Sequence, residues 1–268
     1  PKLERFEYFL KDISRMAPHT LSEDKEFILG KLSPDLRLWE GDLFQKFFDR
    51  NSFPKIKVGA RELDVYLDFE SLMRNMDRSI REKAFREYYD FFRKHADVLA
   101  FCLRRLIQTS NTIAQMRGFE TYYHQSLFER YLTRSQVDSL YNQIEAALPL
   151  YRSYQQYRID NLKNDYGISD PAIWDLEIPP KDAEIPRFSA TSGTTVLKEA
   201  LQVLGASFSR ELSLLLDPAN GRLDIVGGPK REQGAFCLGF FGYFMDNYQG
   251  FLGDVSTMAH ESGHAVYS

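Results

Sequence analysis

Apolar residues recur at helical spacing through the first two thirds of the chain, and this repetition limits the possible fold more than any other feature. The N-terminal stretch is one example, with apolar side chains at Leu3, Phe6, Leu10 and Ile13. Residues three and four apart lie on one face of an α-helix, so each such run predicts an amphipathic helix. The sequence therefore predicts a mainly α protein built from many helices.

Two of the predicted helices are long. The first covers about 77–117, with Asp77 as its N-cap, and its length favours either a kink or two helices end to end. The second covers about 133–162, with Thr133 as its N-cap. Between Pro54 and the first long helix, residues 56–67 predict a small β-hairpin.

The composition changes after Gly167. Four prolines within 168–190 predict an extended connector, and a helix is predicted over 192–216. Short β-like runs punctuated by glycine then follow, at 222–226, 235–241 and 243–248. The last segment, 254–268, predicts a helix with Asp254 as its N-cap.

The last predicted helix contains the pattern H-E-x-x-H, at His260, Glu261 and His264. Residues i and i+4 lie one turn apart on one helix face, so both imidazoles can reach a single Zn²⁺ ion. Glu261 points in another direction, where it can act as general base toward a water molecule. The alternative interpretation is a pair of helix-face histidines that are hydrogen-bonded in a core.

Two histidines do not complete a catalytic zinc site, which normally has three protein ligands and a water molecule. Four upstream residues are candidates for the third ligand, and nothing in their spacing favours one of them: His124, Glu129, Cys237 and Asp246. We expect instead that the third ligand lies beyond Ser268 and that the chain is an incomplete portion ending just after the motif. The isolated chain is then expected to be inactive.

The sequence around the motif resembles the active-site helix of the thimet-oligopeptidase-like metallopeptidases, and especially that of oligoendopeptidase F. The stretch GFLGDVSTMAHESGHAV, at 250–266, is much more specific than H-E-x-x-H alone. Further similar stretches lie upstream, at 77–81, 84–85, 117–119, 174–179, 234–237 and 244–250. The resemblance therefore covers most of the chain.

This resemblance implies a mainly α, helical two-lobed zincin-like metallopeptidase with a small β-sheet beside the active-site helix. It implies one Zn²⁺ ion held by His260, His264 and a glutamate that follows the motif, with Glu261 as general base. Residues 1–76 would belong to the N-terminal helical region, and 77–268 would form the first part of the peptidase catalytic region. The implied activity is hydrolysis of internal bonds in short unfolded peptides.

A second group of candidate site residues lies ahead of the metal helix. We interpret five consecutive residues as substrate contacts: Tyr243, Phe244, Met245, Asp246 and Asn247. The strand that contains them would present a sheet edge to which an extended peptide adds through backbone hydrogen bonds. The alternative is an ordinary covered strand edge.

The amino-acid composition limits the classes of binding partner and the cellular location that we expect. The 34 Lys and Arg residues against 38 Asp and Glu residues leave a net charge of -4, which does not favour a nucleic-acid partner. No apolar run reaches the roughly 20 residues of a membrane span, so no membrane partner is expected. Cys102 and Cys237 form no disulfide framework, which favours a reducing, cytoplasmic location. Cys237 is interpreted as a small buried hydrophobe rather than a reactive thiol.

The alternative function is a non-catalytic helical scaffold, or a peptide-binding fragment with an incomplete metal site. The intact arrangement of Glu261 between two histidines favours the peptidase, because a scaffold has no visible reason to keep an acid beside two ligands.

Overall fold

The computed structural model describes residues 3–38, 42–50, 53–179, 181–225, 234–238, 243–245 and 248–267. These residues form eleven α-helices and five short strands, which confirms the prediction of a mainly α protein. The helices are α1 Glu7–Met16, α2 Glu23–Leu36, α3 Asp42–Arg50, α4 Phe69–Met73, α5 Arg78–Lys94, α6 Ala96–Met116, α7 Tyr122–Glu129, α8 Arg134–Tyr166, α9 Ala190–Leu201, α10 Ala206–Leu215 and α11 Leu252–Tyr267. The strands are β1 Lys55–Val58, β2 Arg61–Asp64, β3 Leu223–Asp224, β4 Ala235–Cys237 and β5 Tyr243–Met245. Among the described helices, none combines the length and apolarity needed to span a bilayer.

Local breaks divide two of the predicted helices. The long helix predicted over 77–117 is α5 and α6 end to end, with His95 between them. Asp77 caps α5 as predicted, because its Oδ1 accepts hydrogen bonds from the backbone N–H of Ser79 at 2.9 Å and from its hydroxyl at 2.8 Å. The helix predicted after the connector is α9 and α10, separated by Gly205, whose φ of 99° cannot continue an α-helix.

The chain folds as two compact units, and neither unit is one continuous stretch of sequence. The first unit comprises Pro1–Ser52 and Asp90–Tyr157, and the second comprises Phe53–Tyr89 and Arg158–Ser268. The chain passes from one unit to the other three times: between Ser52 and Phe53, inside α5 and inside α8. The H-E-x-x-H motif at 260–264 therefore belongs to the second unit.

The first unit is helical, and a bidentate ion pair joins α2 to the end of α6. Arg117 donates from Nη1 to Glu26 Oε1 at 2.7 Å and from Nη2 to Oε2 at 2.8 Å. These hydrogen bonds, with one from the backbone of Leu21, hold the pKa of the Glu26 carboxyl below its usual value. The His19 ring stacks on Phe119, with the ring centroids 3.9 Å apart.

The second unit contains both sheets. β1 and β2 form the predicted antiparallel hairpin, in which Ile56 lies opposite Leu63. The second sheet has the strand order β3-β5-β4, and α11 packs against β4 and β5. The prediction of a small sheet beside the last helix is therefore confirmed. The core between these elements is a cluster of buried residues: Leu197, Phe208, Leu212, Leu215, Leu216, Met258 and Ala265.

β5 is the central strand of its sheet, so the interpretation that it offers an edge to a peptide is wrong for Tyr243 and Phe244. It pairs in parallel with β3 on one side and antiparallel with β4 on the other. Tyr243 and Phe244 therefore have a neighbouring strand on both sides, which leaves no free edge there for an added strand, whereas the described pairing of Met245 is with Ala235 of β4. Asp246 and Asn247 lie outside the described residues.

A buried carboxylate holds the proline-rich connector to α5. Asp175 is fully buried and accepts a hydrogen bond from Arg81 Nη2 at 2.7 Å, and Arg81 is itself only 1% exposed. Arg78 Nη2 donates at 3.0 Å, and the backbone N–H of Ala172 donates at 2.9 Å. Burial acts to raise the pKa of Asp175, but the hydrogen bonds from Arg78, Ala172 and Arg81 outweigh it and lower that pKa.

Candidate active site

The rotation of α11 places the two histidines of the motif on its exposed face. The opposite face buries Val255, Met258 and Ala265, whose spacing of three and seven residues gives one apolar stripe against the core. His260 and His264 are exposed on the other side. They border an open pocket of about 350 Å³, which is lined by His260, Gly263, His264 and Tyr267.

The two imidazoles are arranged so that one atom from each can reach the same ion. His260 Nε2 and His264 Nε2 lie 3.2 Å apart, and the ring planes are at 86° to each other. Two nitrogens at about 2.05 Å from one ion, at the tetrahedral angle, would lie about 3.3 Å apart. The observed nitrogen separation therefore fits two ligands of a single zinc ion. Imidazole nitrogen is also a donor type that zinc prefers.

Glu261 lies between the exposed and buried faces of α11. It follows His260 by one residue, which rotates its side chain about 100° around the helix from that of the histidine. The side chain is half-buried, and within the described part of the chain its carboxylate makes no hydrogen bond or ion pair. In the described structure this carboxylate is therefore not held by another protein group.

The third ligand is not found among the described residues. No group of three His, Cys, Asp or Glu side chains within them is placed to hold a metal ion. Cys237 packs against the core cluster, but it is half-buried rather than buried as predicted. His124 and Glu129 lie on α7 in the first unit, where Glu129 accepts a hydrogen bond from a neighbouring glutamine at 2.7 Å. Asp246 lies outside the described residues.

The start of α11 is fixed by Asp254, but not as the predicted N-cap. The helix begins at Leu252, which makes Asp254 its third residue. Asp254 Oδ2 accepts hydrogen bonds from the backbone N–H of Gln249 at 3.0 Å and of Phe251 at 2.8 Å. This is the bond from an N3 acid back to the N-cap residue that is typical of a capping box.

The turn ahead of Asp254 requires glycine at one position. Gly250 has a φ of 84°, and a Cβ atom there would lie 2.7 Å from the carbonyl oxygen of Phe188. The same two residues are joined by a hydrogen bond from Phe188 N to Gly250 O at 2.9 Å. Glycine, which has no Cβ atom, is the amino acid that tolerates both this backbone conformation and so close an approach.

Side chains from α4 and from the connector hold the same turn, and sequence reasoning did not identify them. Gln249 Nε2 donates to the carbonyl of Leu67 at 3.2 Å, and the hydroxyl of Ser71 donates to Gln249 Oε1. The ring of Phe251 is buried between two guanidinium groups, with Arg187 at 3.7 Å and Arg74 at 4.4 Å from its centroid. The only sequence signal was that Gln249 directly precedes the glycine of the turn.

The five predicted substrate contacts divide into two groups. Tyr243, Phe244 and Met245 form β5, which contacts the helix that bears the histidine pair. Asp246 and Asn247 fall outside the described residues. Contact between these five residues and a peptide stays a prediction.

Comparisons with known proteins agree on one family. The family model described as Peptidase family M3 matches residues 71–211, and the model described as Oligopeptidase F matches residues 1–49. Oligoendopeptidase F, chromosomal, of Lactococcus lactis subsp. cremoris is 25% identical over 219 residues, which are 81% of this chain and 35% of that protein. Oligopeptidase PepF of Bacillus subtilis (strain 168) is 24% identical over 277 residues, which are 100% of this chain and 40% of that protein.

A solved structure supports the fold. The crystal structure of oligoendopeptidase-F from Enterococcus faecium superposes with a TM-score of 0.60 at 22% sequence identity. The match covers 81% of this chain and 40% of that chain. The chain thus spans less than half the length of these relatives.

Proposed function

Because the chain belongs to peptidase family M3, we propose that it is part of a zinc-dependent endopeptidase that hydrolyses internal bonds of oligopeptides. The observation that supports this proposal most is the 3.2 Å separation of His260 Nε2 and His264 Nε2 on an exposed helix face. This separation suits two ligands of one ion, and the pair borders a pocket that is open to solvent.

Each residue of the motif has a separate role in the proposal. His260 and His264 would hold the ion through Nε2, and Glu261 would accept a proton from the attacking water and pass it to the leaving amine. When bound, a zinc ion would lower the pKa of its water ligand and polarise the substrate carbonyl. The half-buried position of Glu261 beside the pair allows this transfer without making the carboxylate a ligand.

A third ligand is needed, and we propose that it comes from beyond Ser268. The described residues contain no side chain that joins His260 and His264 in a group of three. In this proposal residues 1–76 are part of an N-terminal helical region, and 77–268 are the first part of the catalytic region. The 268-residue chain alone would then hold zinc weakly and hydrolyse peptides little or not at all.

The proposed substrates are short unfolded peptides, and the proposed location is the cytoplasm. The oligopeptidase names of the relatives support the substrate class. The presence of Cys102 and Cys237 as thiols agrees with a reducing compartment. β5 contacts α11, the helix that bears the histidine pair, and this contact supports the proposal that β5 residues contact the substrate.

A second candidate function is a peptide-binding fragment or helical scaffold with an incomplete metal site. The observation that favours it is the lack of a third ligand among the described residues. Metal content separates the two candidates, because an active peptidase needs one tightly held ion and a scaffold needs none.

The test compares Glu261→Gln with wild type in the active peptidase that contains this chain. Glu261→Gln should keep zinc and lose about 10²–10⁴-fold in kcat, because only proton transfer is removed. His260→Ala should instead lose zinc. Glu199→Gln is the matched control, since it removes an exposed carboxylate on α9 of the same unit. Near-full turnover by Glu261→Gln would exclude Glu261 as the base.

A further inference from the structure

The turn between β5 and α11 is held by more side-chain bonds than a helix start needs for its own stability. Asp254 is 5% exposed, and its Oδ2 alone accepts two backbone N–H groups, those of Gln249 and Phe251. A capping-box acid normally accepts one such bond. Here the second bond ties the helix to the residue on the far side of Gly250.

Gln249 extends this connection to the opposite side of the turn. Its amide bonds to the carbonyl of Leu67 and to the hydroxyl of Ser71 on α4, while its own carbonyl accepts from Arg187 Nη1 at 2.9 Å. Residues 249–254 are thus held from α4, from the connector and from the first turn of α11. We call this set of contacts, made by Ser71, Arg187, Gln249, Phe251 and Asp254, the helix-start clamp.

We propose that Asp254 is a positioning residue that, through the helix-start clamp, sets where the histidine pair lies relative to the three-stranded sheet. The inference rests on the proposed function, since it concerns the placement of the metal pair. It does not concern the distance between the two histidines, because i and i+4 on one helix keep their spacing however the helix is oriented. Asp254 lies on another face of α11 from the histidines and is buried.

The physical reason is that Asp254 is the member of the clamp that belongs to α11 itself, so its two bonds join the helix to the turn that Ser71 and Arg187 hold. The apolar stripe of α11 packs against the core. Apolar burial is not directional, so it fixes the position of the helix along its axis less sharply than hydrogen bonds do. The two bonds to Asp254 fix the backbone at the point where β5 leads into the helix. Without them the first turn of α11 would lose its acceptor for Phe251 N–H, and the pair would shift relative to the sheet. In catalysis, a misplacement of about 1 Å can cost about 10²-fold in rate.

The experiment uses the chain itself, labelled with ¹⁵N, and Co²⁺ as the probe of the histidine pair. Cobalt held there produces pseudocontact shifts, which report the position of the ion relative to the amides of β4. We expect Asp254→Ala to bind Co²⁺ as wild type does but to change the pseudocontact shifts of Ala235, Phe236 and Cys237. Asp254→Asn, which keeps an oxygen acceptor in the same place, should restore most of the wild-type values.

The matched control is Asp77→Ala. Asp77 also accepts bonds at a helix start in the same unit, but it caps α5, and in the described structure its carboxylate accepts from Ser79 rather than from a residue of the clamp. It should lower thermal stability by a similar amount and leave the pseudocontact shifts unchanged. Equal changes in both alanine variants would reduce Asp254 to a stabilising role, and unchanged shifts in Asp254→Ala would overturn the proposal.

The outcome also separates this inference from the proposed function. If wild type gives no cobalt-induced shifts, the metal site fails, and nuclear Overhauser contacts between α11 and β4 then decide the positioning role without metal. Loss or change of those contacts in Asp254→Ala but not in Asp77→Ala supports it, and identical contacts in both reject it. If Asp254→Ala does not fold, Ser71→Ala, which removes one bond of the clamp at a half-buried site, replaces it.

Discussion

Removing the charge of Asp175 should destabilise the second unit more than any exposed ion-pair change. The Asp175→Asn substitution keeps the side-chain shape, so it leaves no cavity. It does remove the anion that faces Arg81, whose side chain is 1% exposed and bonds to the carboxylate at 2.7 Å. A buried guanidinium would then lack its counter-charge.

The magnitude follows from the burial of both partners. Breaking a buried ion pair by removing one partner costs about 3–5 kcal/mol. Part of the charge on Arg81 stays satisfied, because it also donates to the carbonyls of Asn75, Met76 and Trp174. We therefore expect about 3 kcal/mol, which corresponds to a fall in Tm of about 6–12 °C for a protein of this size.

The assay is urea unfolding followed by circular dichroism, with Arg78→Ala as the graded comparison. The Arg78 side chain is 41% exposed, so losing its hydrogen bonds from Nε and Nη2 to the same carboxylate should cost less, about 1 kcal/mol. If Asp175→Asn is within about 1 kcal/mol of wild type, or no worse than Arg78→Ala, the argument from burial is refuted.

Three further predictions concern the second unit. The pKa of Asp175 in the folded state lies below its unfolded value of 3.8. Its contribution to stability is therefore present above pH 3.8 and is lost as the pH falls through the folded pKa. We expect Asp175→Asn to flatten the acid side of a plot of unfolding free energy against pH. Gly250→Ala should cost at least about 2 kcal/mol in urea unfolding, because φ of 84° is unfavourable for alanine and the new Cβ meets Phe188 O; a neutral effect would contradict the geometry. Ser262→Ala should be neutral or stabilising by about 1 kcal/mol, because the buried Oγ makes no hydrogen bond in the described structure, whereas Ser262→Val should destabilise by about 1–3 kcal/mol through overpacking. In calorimetry, a loss of more than about 1 kcal/mol in Ser262→Ala would show that the hydroxyl has a partner. A neutral Ser262→Val would refute the overpacking argument.

Local signals predicted the helices and most of the caps. The N-caps Asp77 and Thr133 are as predicted, because a cap depends on atoms only two or three residues away: Thr133 Oγ1 accepts from the backbone N–H of Gln136 at 3.3 Å. The break at Gly205 was missed because an isolated glycine inside an apolar pattern does not reveal the sign of its φ.

Contacts between distant parts of the sequence were not predictable. The central position of β5 depends on pairing with β3, some 20 residues earlier, and strand order cannot be obtained from a period-2 pattern. The role of Gln249 depends on Leu67 and Ser71, whose distance along the chain exceeds 170 residues. By contrast, the convergence of His260 and His264 follows from their spacing of four on one helix, and the structure has both Nε2 atoms facing each other.

The most direct test of the central claim is a zinc titration of the 268-residue chain followed by NMR of its histidine rings. The chain has five histidines, so three of them, His19, His95 and His124, serve as internal controls. We predict that the rings of His260 and His264 shift together as zinc is added, with both Nε2 atoms as the liganded nitrogens, while the other three stay unchanged. Equal shifts across all five rings, or no shift of His260 and His264 in excess zinc, would contradict the account.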